Sequence, residues 1–349
     1  MLKGFVDHAP GDLILNEHAD VMVFMMQPFQ IKDFYKGQYK TCFTMWESDT
    51  LPQKFVDWLP VYDSVIVPCT HNLELFSKHH SNVRLVPLGV DTKRWRPKRR
   101  AANKRFRFHA GGSQWVRKGL DTVLEAFLLA KLDAELHLKP NPEAFGVPEM
   151  KLPDNVFMHR GWMDDEQTLN FFHHADCWVA PSRGEGFGLM PLQAMACGIP
   201  TIINAASGHG DFAHMASIVV PHGPVVSHYG GMWDESDPRE LAEAMREMHA
   251  NYQAYKDKAK QTVPQLLDWS WVSAARKLTD ALPVGKLLTN PIQTHATVWY
   301  QVALNRTLQC DIADVTYKFV KGVPMRVPEG VLEVVRAAGY IESYALEVT

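Results

Sequence analysis

Short apolar runs alternate with amphipathic stretches along most of the chain, which is the pattern of a parallel α/β sheet. In the first hundred residues, the apolar runs predict strands, and the mixed stretches 53–60 and 72–78 between them predict helices. The predicted strands cover residues 12–15, 21–24, 40–44, 64–67 and 83–86.

A second series of alternating elements begins at residue 106. Its predicted strands cover residues 106–109, 135–138, 156–158, 177–180 and 200–203, and its predicted helices cover 120–130, 165–174, 190–196, 239–250 and 271–281. Two such series in tandem predict two doubly wound, Rossmann-like lobes that face a cleft.

Two changes of pattern divide the chain. Residues 93–107 contain nine basic residues and Pro97, so this segment is predicted to be an unpacked linker beside the cleft. Beyond Pro283 the pattern becomes a strand-like alternation at 315–320 and a short helix at 329–338. We therefore assign residues 1–97 to a short first lobe, 98–283 to a second lobe and 284–349 to a small extension.

Composition narrows the function classes. The chain is 46% hydrophobic and 21% charged, and its formal net charge of −3 gives it no general attraction to nucleic acid. It has no apolar run of about 18 residues, so no transmembrane segment is expected. The five cysteines are odd in number and far apart, as in a cytoplasmic protein with reduced thiols.

The most informative segment is APSRGEGFGLMPLQAMACGIPT, residues 180–201. A buried strand leads into a glycine-rich turn and then into a helix, which leaves the backbone N–H groups of Gly188, Leu189 and Met190 free at the helix N-terminus. Such a terminus favours an anion, most simply a phosphate. Glu185 precedes it and can accept hydrogen bonds from hydroxyl groups.

This segment resembles the donor-site signature of family-4 glycosyltransferases with the GT-B fold, in which two glutamates bracket a Gly-Phe-Gly-Leu turn. The resemblance extends to TMWESDTLP at 44–52, VPLGVD at 86–91, RKG at 117–119 and SW at 270–271. It implies two Rossmann-like lobes and a nucleotide diphosphate sugar, UDP- or GDP-linked, as co-substrate, with no cofactor.

The resemblance also implies roles for individual residues. Glu185 would contact the transferred sugar, Gln193 would replace the second glutamate at the ribose, and Lys118 would contact the diphosphate. The arginine that the family usually has six residues before this lysine is replaced by Gly112, and Arg117 is the candidate to compensate. The expected donor-binding residues are Gly111, Gly112, Arg117, Lys118, Trp162, Glu185, Phe187, Gly188, Leu189, Met190 and Gln193.

The expected catalytic residues are Glu185 and Lys118 in the second lobe and Glu47 and Asp49 in the first. His8 and His18 are further candidates near the cleft. The resemblance implies transfer with retention of anomeric configuration and without a metal ion, and positioning and charge stabilisation would supply most of the acceleration.

Each of these residues could instead have a purely structural role. Glu185 could be a capping carboxylate for the following helix, and Glu47 and Asp49 could cap the helix that begins near Pro52. Lys118 and Gln193 could be solvated helix residues. Trp162 could be a packing residue, although a nucleobase could also stack on it.

Two functional alternatives also remain at this stage. The basic linker could track phosphates, which would suit a glycosyltransferase acting on modified DNA. The short first lobe and Gln193 would also suit a non-catalytic relative that binds a partner protein through residues 284–349. The acceptor, whether glycan, lipid, protein or modified DNA, does not follow from the sequence.

Overall fold

The computed structural model describes residues 21–30, 39–99, 101–141, 151–283, 299–304, 308–312, 315–319, 321, 323, 325–328 and 341–347. Contacts divide the chain into two compact units. Of the described residues, the first contains 23–30 and 39–282, and the second contains 21–22 and those from Pro283 onward. The predicted strand 12–15, the predicted helix 329–338, His8 and His18 lie outside the described residues.

The first sheet has four strands in the order β1-β2-β3-β4, and β3 pairs in parallel with both β2 and β4. All four residues of β3 are buried, because the strand lies inside the sheet with apolar side chains on both faces. The elements are β1 Val21–Met25, β2 Tyr39–Phe43, helix α1 Gln53–Trp58, β3 Ser64–Val67, helix α2 Thr70–Ser77 and β4 Val83–Leu85.

The second sheet has six strands in the order β10-β9-β8-β5-β6-β7, and every recorded pairing is parallel. Counted within this sheet, the order is 3-2-1-4-5-6, which is that of a doubly wound nucleotide-binding fold. The strands are β5 Phe106–Gly112, β6 Ala134–Pro140, β7 Val156–Met158, β8 Cys177–Ala180, β9 Thr201–Asn204 and β10 Ile218–Val220. The α/β fold predicted from the sequence is confirmed in both sheets, and the doubly wound strand order is seen in the second sheet, whereas the described strands of the first sheet follow chain order.

Helices cover both faces of the second sheet. The helices that follow α2 in the chain are α3 Leu120–Ala130, α4 Asp165–His173, α5 Leu189–Ala196, α6 Pro238–Ala250, α7 Tyr252–Thr262 and α8 Trp271–Ala281. Val123 and Phe127 of α3 share one core cluster with Leu241 and Met245 of α6. In α4, the side chain of Phe172 stacks on the buried ring of Trp178 in β8, with centroids 4.2 Å apart.

The linker prediction was wrong in part. Trp95 is buried and packs edge-on against Phe172, with centroids 4.9 Å apart, so the segment is fastened to the second sheet's helical layer. Arg94 forms an ion pair with Asp165, and Arg107 lies within β5 and pairs with Glu135. The segment packs despite its many positive charges, because acidic residues pair with two of its arginines and Trp95 is buried against Phe172.

The second compact unit contains short antiparallel strands. One sheet has the order β16-β13-β17, with β13 Trp299–Leu304, β16 Met325–Pro328 and β17 Ile341–Glu347. A separate pair joins β14 Leu308–Ile312 to β15 Val315–Phe319. Across the described residues, the helices are too short or too polar to cross a membrane.

Gly89 allows a close approach of two chain segments. Val90 donates a backbone hydrogen bond to Trp269 O at 2.8 Å, and the segment lies against the start of α8. A Cβ atom at residue 89 would overlap the backbone of Ser270 and Trp271. Backbone cannot move aside as a flexible side chain can, so this position requires glycine.

We therefore predict that Gly89→Ala lowers the free energy of unfolding by about 1–3 kcal/mol, the usual cost of overpacking. Urea denaturation measures this change. Gly161→Ala is the control, since a Cβ there meets no atom within 4 Å. Equal stability of the two variants would contradict the steric argument.

Three histidines stack across neighbouring strands of the second sheet. His109 in β5 lies 4.7 Å from His137 in β6, and His137 lies 5.3 Å from His159, measured between ring centroids. His109 is 2% exposed, and neither of its ring nitrogens has a hydrogen-bond partner among the described residues. Burial, followed by the neighbouring histidines, lowers the pKa of His109 well below its usual 6.5.

The lowered pKa of His109 makes stability depend on pH. Below pH 6.5 the unfolded chain binds a proton that the folded chain excludes, so stability falls as the pH falls. Between pH 7.5 and 5.5 this one group costs about 1.4 kcal/mol. We predict that His109→Leu reduces the loss of unfolding free energy between these pH values by about that amount.

Urea denaturation at the two pH values measures the difference. His79→Leu, which changes an exposed histidine, is the matched control and should keep the wild-type pH dependence. If His109→Leu loses as much stability between pH 7.5 and 5.5 as the wild type, His109 is not excluded from protonation.

Candidate active site

The second sheet has its topological switch point between β5 and β8. From these neighbouring strands the chain proceeds in opposite directions along the sheet, so their carboxyl ends leave a crevice, which is where ligands bind in such folds. Gly111 and Gly112 end β5, and residues 181–188 follow β8. The glycine-rich segment identified in the sequence therefore lies at the crevice formed by the carboxyl ends of β5 and β8.

Glu185 occupies the centre of this crevice. Its side chain is only 6% exposed, and its Oε1 accepts hydrogen bonds from Lys118 Nζ at 2.5 Å and from Ser182 Oγ at 2.8 Å. Arg117 Nη1 lies 3.7 Å from Oε2. A buried charge needs such partners, because water cannot solvate it.

The charge state of Glu185 follows from these neighbours. Burial alone would raise the pKa of the carboxyl group, but Lys118, His209 and Arg117 outweigh burial and lower it to about 2. Burial also lowers the pKa of the Lys118 ammonium, whereas the adjacent carboxylate raises it. We conclude that Glu185 is ionised at neutral pH.

The close approaches in the crevice explain its glycines. A Cβ at Gly112 would overlap the side chain of Lys118, so the residue in the place of the family's arginine gives the lysine its path to Glu185. Gly188 has φ +100°, and a Cβ there would overlap the ring of His209. A Cβ at Gly111 would lie 3.2 Å from the Met190 methyl group.

Helix α5 begins at this site without a side-chain cap. Gly188 is its N-cap residue, and Glu185 makes no capping hydrogen bond, so the capping alternative for Glu185 is wrong. Leu189, Met190 and Gln193 are half-buried along this helix. The first turn therefore offers backbone N–H groups and a positive dipole end to an anion.

Two predicted donor-binding residues, Phe187 and Trp162, have opposite surroundings. Phe187 is buried, and its ring packs 5.9 Å from those of Phe212 and Trp269, so it anchors the turn. Trp162 is 82% exposed in the loop between β7 and α4, which rules out the packing role considered for it. Its indole face is open to a ligand.

Glu47 and Asp49 of the first sheet's loop have different surroundings. Glu47 Oε1 lies 3.9 Å from Arg117 Nη1, and burial raises the pKa of Glu47 although Arg117 opposes this. The Asp49 carboxylate instead accepts a hydrogen bond from Met232 N at 2.7 Å. Neither residue caps α1, whose N-cap is Pro52 without a side-chain bond.

Met232 belongs to a hairpin that the sequence did not reveal, formed by β11 Gly223–Val226 and β12 Met232–Glu235. Ser48 Oγ donates to Gly230 O at its tip, and the ring of Tyr229 lies 5.3 Å from that of Trp46. A cavity of about 190 Å³ opens between the loop and the hairpin, lined by residues that include Glu47, Arg183, Ser207 and Trp233.

Sequence reasoning also missed His209 and the role of Ser182. His209 follows β9, is fully buried, and has Nε2 3.7 Å from Glu185 Oε1. Burial lowers its pKa to about 4, so it is neutral at pH 7. The segment SGHG at 207–210 directly after a strand was the available signal, because strand ends of parallel sheets collect functional groups.

The described residues contain no group of three or more His, Cys, Asp or Glu side chains suited to hold a metal ion. The site is thus an ionised carboxylate, two adjacent cations and an uncapped helix N-terminus. These groups can bind hydroxyls and a phosphate side by side.

Comparisons with known proteins show which family and fold the chain resembles. A model for family-4 glycosyltransferases in conflict systems matches residues 153–278. A GDP-mannose-dependent alpha-(1-6)-phosphatidylinositol dimannoside mannosyltransferase of Mycobacterium tuberculosis is 24% identical over 246 residues, which are 65% of this chain and 61% of that protein. The chain thus spans less than two thirds of the length of this relative.

Solved structures share the fold. The sucrose-phosphate synthase of Thermosynechococcus elongatus superposes with a TM-score of 0.54 and 19% identity, covering 69% of this chain and 66% of that one. HepE of Anabaena, solved with UDP and glucose, gives 0.55 and 14% over 70% and 72%. The family match over residues 153–278 and the shared architecture confirm the GT-B fold and the resemblance to family-4 glycosyltransferases seen in the sequence.

Proposed function

We propose that the protein transfers a sugar from a UDP- or GDP-linked donor to an acceptor hydroxyl, with retention of anomeric configuration and without a metal ion. The observation that carries this proposal is the ionised Glu185 carboxylate, buried beside Lys118 and the uncapped start of α5. The GDP-mannose dependence of one relative and the UDP and glucose bound to one structural neighbour support this class of donor.

In this proposal the two halves of the donor bind to different groups. Glu185 accepts hydrogen bonds from hydroxyls of the sugar. Lys118 has three N–H donors, so it can keep its bond to Glu185 while it contacts the diphosphate. The N–H groups of the first turn of α5 complete the phosphate site, Gln193 bonds the ribose, and Trp162 offers a face to the base.

The same groups stabilise the reaction. As the bond from the sugar to the diphosphate breaks, negative charge grows on the leaving phosphate, and Lys118 together with the α5 dipole stabilises it. The acceptor hydroxyl attacks from the face that the leaving group occupies and passes its proton to the leaving phosphate. Arg117, held by a 2.7 Å hydrogen bond to Gly184 O, adds positive charge beside Glu185.

The acceptor side is assigned to Glu47. Its raised pKa and its place on the cavity between loop and hairpin suit a carboxyl group that hydrogen-bonds an acceptor hydroxyl. Asp49, whose carboxylate is bonded to Met232 N, is assigned to holding the loop against the hairpin. We would screen lipids and glycans first as acceptors. The name of the mycobacterial relative contains a lipid, phosphatidylinositol dimannoside, and two other similar proteins are named as a mannosylfructose-phosphate synthase and a sucrose-phosphate synthase.

We predict that Glu185→Gln lowers the turnover of the preferred nucleotide sugar at least about 100-fold, because the amide keeps the shape of the side chain but loses its charge. Product formation measured with labelled donor reports the change. Glu166→Gln, an exposed change on α4, is the matched control. Near-wild-type turnover in Glu185→Gln would remove this residue from the proposed mechanism.

The Glu185→Gln variant leaves Lys118 without its carboxylate, which destabilises a buried pair. Thermal unfolding of the variant shows whether it is folded. If it is not, Glu185→Gln combined with Lys118→Met removes both charges together, and this folded variant should also be inactive.

Binding of the donor is predicted to depend on Lys118. A ligand that binds only the folded protein adds about 2.7 kcal/mol of stability at a hundredfold excess over its Kd. Thermal unfolding should therefore shift upward with UDP or GDP, and Lys118→Gln should abolish the shift. Lys277→Gln, an exposed change on α8, should keep it.

If no nucleotide diphosphate shifts the wild type, the donor site is not used, and the non-catalytic alternative replaces the proposed activity. A shift that survives Lys118→Gln would place the diphosphate elsewhere in the protein.

A further inference from the structure

A second concave site lies at the amino ends of the strands of the six-stranded sheet, whereas Glu185 lies at their carboxyl ends. Ala175 and Pro200, which precede β8 and β9, form part of its floor, whereas the donor site follows the carboxyl ends of β5 and β8. We call it the basic groove, and its volume is about 380 Å³. It is lined by Pro97, Lys98, Arg99, His173, Ala175, Cys197, Gly198, Ile199, Pro200, Tyr252, Lys256 and Lys260.

One rim of the groove comes from the linker between the lobes. Trp95 packs on Phe172, and the backbone oxygen of Arg96 bonds His173 Nε2 at 3.1 Å, so the linker is anchored just before it reaches the groove. Lys98 and Arg99 follow this anchor and are exposed. The basic run that the sequence placed beside the cleft thus has these two cations at the far edge of the sheet, which corrects that expectation.

The other rim is helix α7. Tyr252, Lys256 and Lys260 are spaced four residues apart and therefore share one face of the helix. Lys256 Nζ lies 5.2 Å from the centre of the Tyr252 ring. Two lysines four residues apart repel each other, so an isolated helix gains nothing from this arrangement.

Four cations therefore meet around one groove. Among the described residues, the ion pair recorded for them joins Lys260 to the exposed Asp257 at 3.1 Å, so one of the four charges is partly compensated. The carbonyl end of α5 also faces the groove and carries about half a negative charge, which four cations exceed. This is a strong local concentration of positive charge in a protein whose net charge is −3.

We propose that the basic groove binds a phosphate ester, as a site separate from the donor site. Lysine and arginine around a concave surface are the side chains that bind phosphate, and the volume lies in the range of small-ligand pockets. The apolar side chains of Pro97, Ile199 and Pro200 contact the organic part of the ligand. The phosphate belongs either to a small molecule or to a nucleic-acid backbone.

The distance between the two sites defines the role of this ligand. Helix α5 starts at the donor site with Gly188 and ends in the groove with Cys197, and eight helical residues span about 12 Å. A phosphate in the groove is therefore not attached next to the reacting hydroxyl, and it belongs to an effector or to the remote part of an extended acceptor.

The test is calorimetric titration with inorganic pyrophosphate, performed on Lys118→Gln so that the donor site does not contribute. We expect saturable binding to Lys118→Gln. Adding Lys256→Gln and Lys260→Gln should weaken it at least tenfold. Adding Arg276→Gln and Lys277→Gln, which remove two exposed charges from α8, is the matched control and should leave it unchanged.

Two results would overturn the proposal: no binding of pyrophosphate to Lys118→Gln, or equal weakening by the groove and control substitutions. Both are independent of the proposed activity, which is judged on Lys118 and Glu185. Thermal unfolding of each variant confirms that the substitutions leave the fold intact.

A second titration identifies the source of the phosphate. An eight-nucleotide thymidine strand is titrated into the same variants between 50 and 300 mM salt. For a nucleic-acid backbone, removing Lys256 and Lys260 should lower the slope of log affinity against log salt by about 1.4. If pyrophosphate binds in the groove and the strand does not, the ligand is a small phosphate ester.

Discussion

The arrangement of the site follows from keeping one carboxylate charged where water is excluded. Removing an ion from water costs several kcal/mol unless hydrogen bonds and opposite charges replace the solvent. Glu185 recovers this energy from Lys118, Ser182 and the nearby guanidinium of Arg117. The local backbone is shaped accordingly, because Gly112 must lack a side chain for Lys118 to reach the carboxylate.

The same constraint joins the loop of the first sheet to the second sheet. Arg117 lies 3.7 Å from Glu185 and 3.9 Å from Glu47, so one guanidinium stands between carboxylates from both parts of the first compact unit. The backbone of Glu47 approaches Gly184 so closely that a Cβ there would overlap it. Asp49 and Ser48 bond the hairpin at Met232 and Gly230. A change in the position of Glu185 would therefore alter the contact between Arg117 and Glu47.

The sequence predicted the elements whose pattern is set by burial. Strands 156–158 and 177–180 and helices 120–130 and 271–281 have the predicted bounds, because each has a clear apolar run or a clear amphipathic period. Helix α7 was missed because it is rich in lysine, glutamine and other polar residues and lacks a long apolar stripe. The β11–β12 hairpin was missed because its strands have only four residues each and no long apolar run, although Gly230 and Gly231 between them were an available turn signal.

The site was predicted in part for a related reason. Glu185, Lys118 and the start of α5 lie in one contiguous motif and one short second motif, so local sequence located them. The surroundings of Asp49, the exposure of Trp162 and the burial of Phe187 depend on partners distant in sequence. His209 was missed although SGHG follows a predicted strand, because the sequence alone does not show that this strand, β9, pairs with β8.

Energetics argue that this cluster is present for a ligand rather than for stability. A buried ion pair is usually no more stabilising than apolar side chains of similar size, because its attraction only offsets the lost solvation. Glu185 and Arg117 are buried, Lys118 and Glu47 are half-buried, and the recorded contacts among these four charged groups span 2.5 to 3.9 Å. Leucine or methionine of similar volume often gives a protein equal or greater stability at such a position. What apolar residues could not supply is a fixed arrangement of charge, ready before a charged substrate arrives, that needs no reorganisation when negative charge develops on a phosphate.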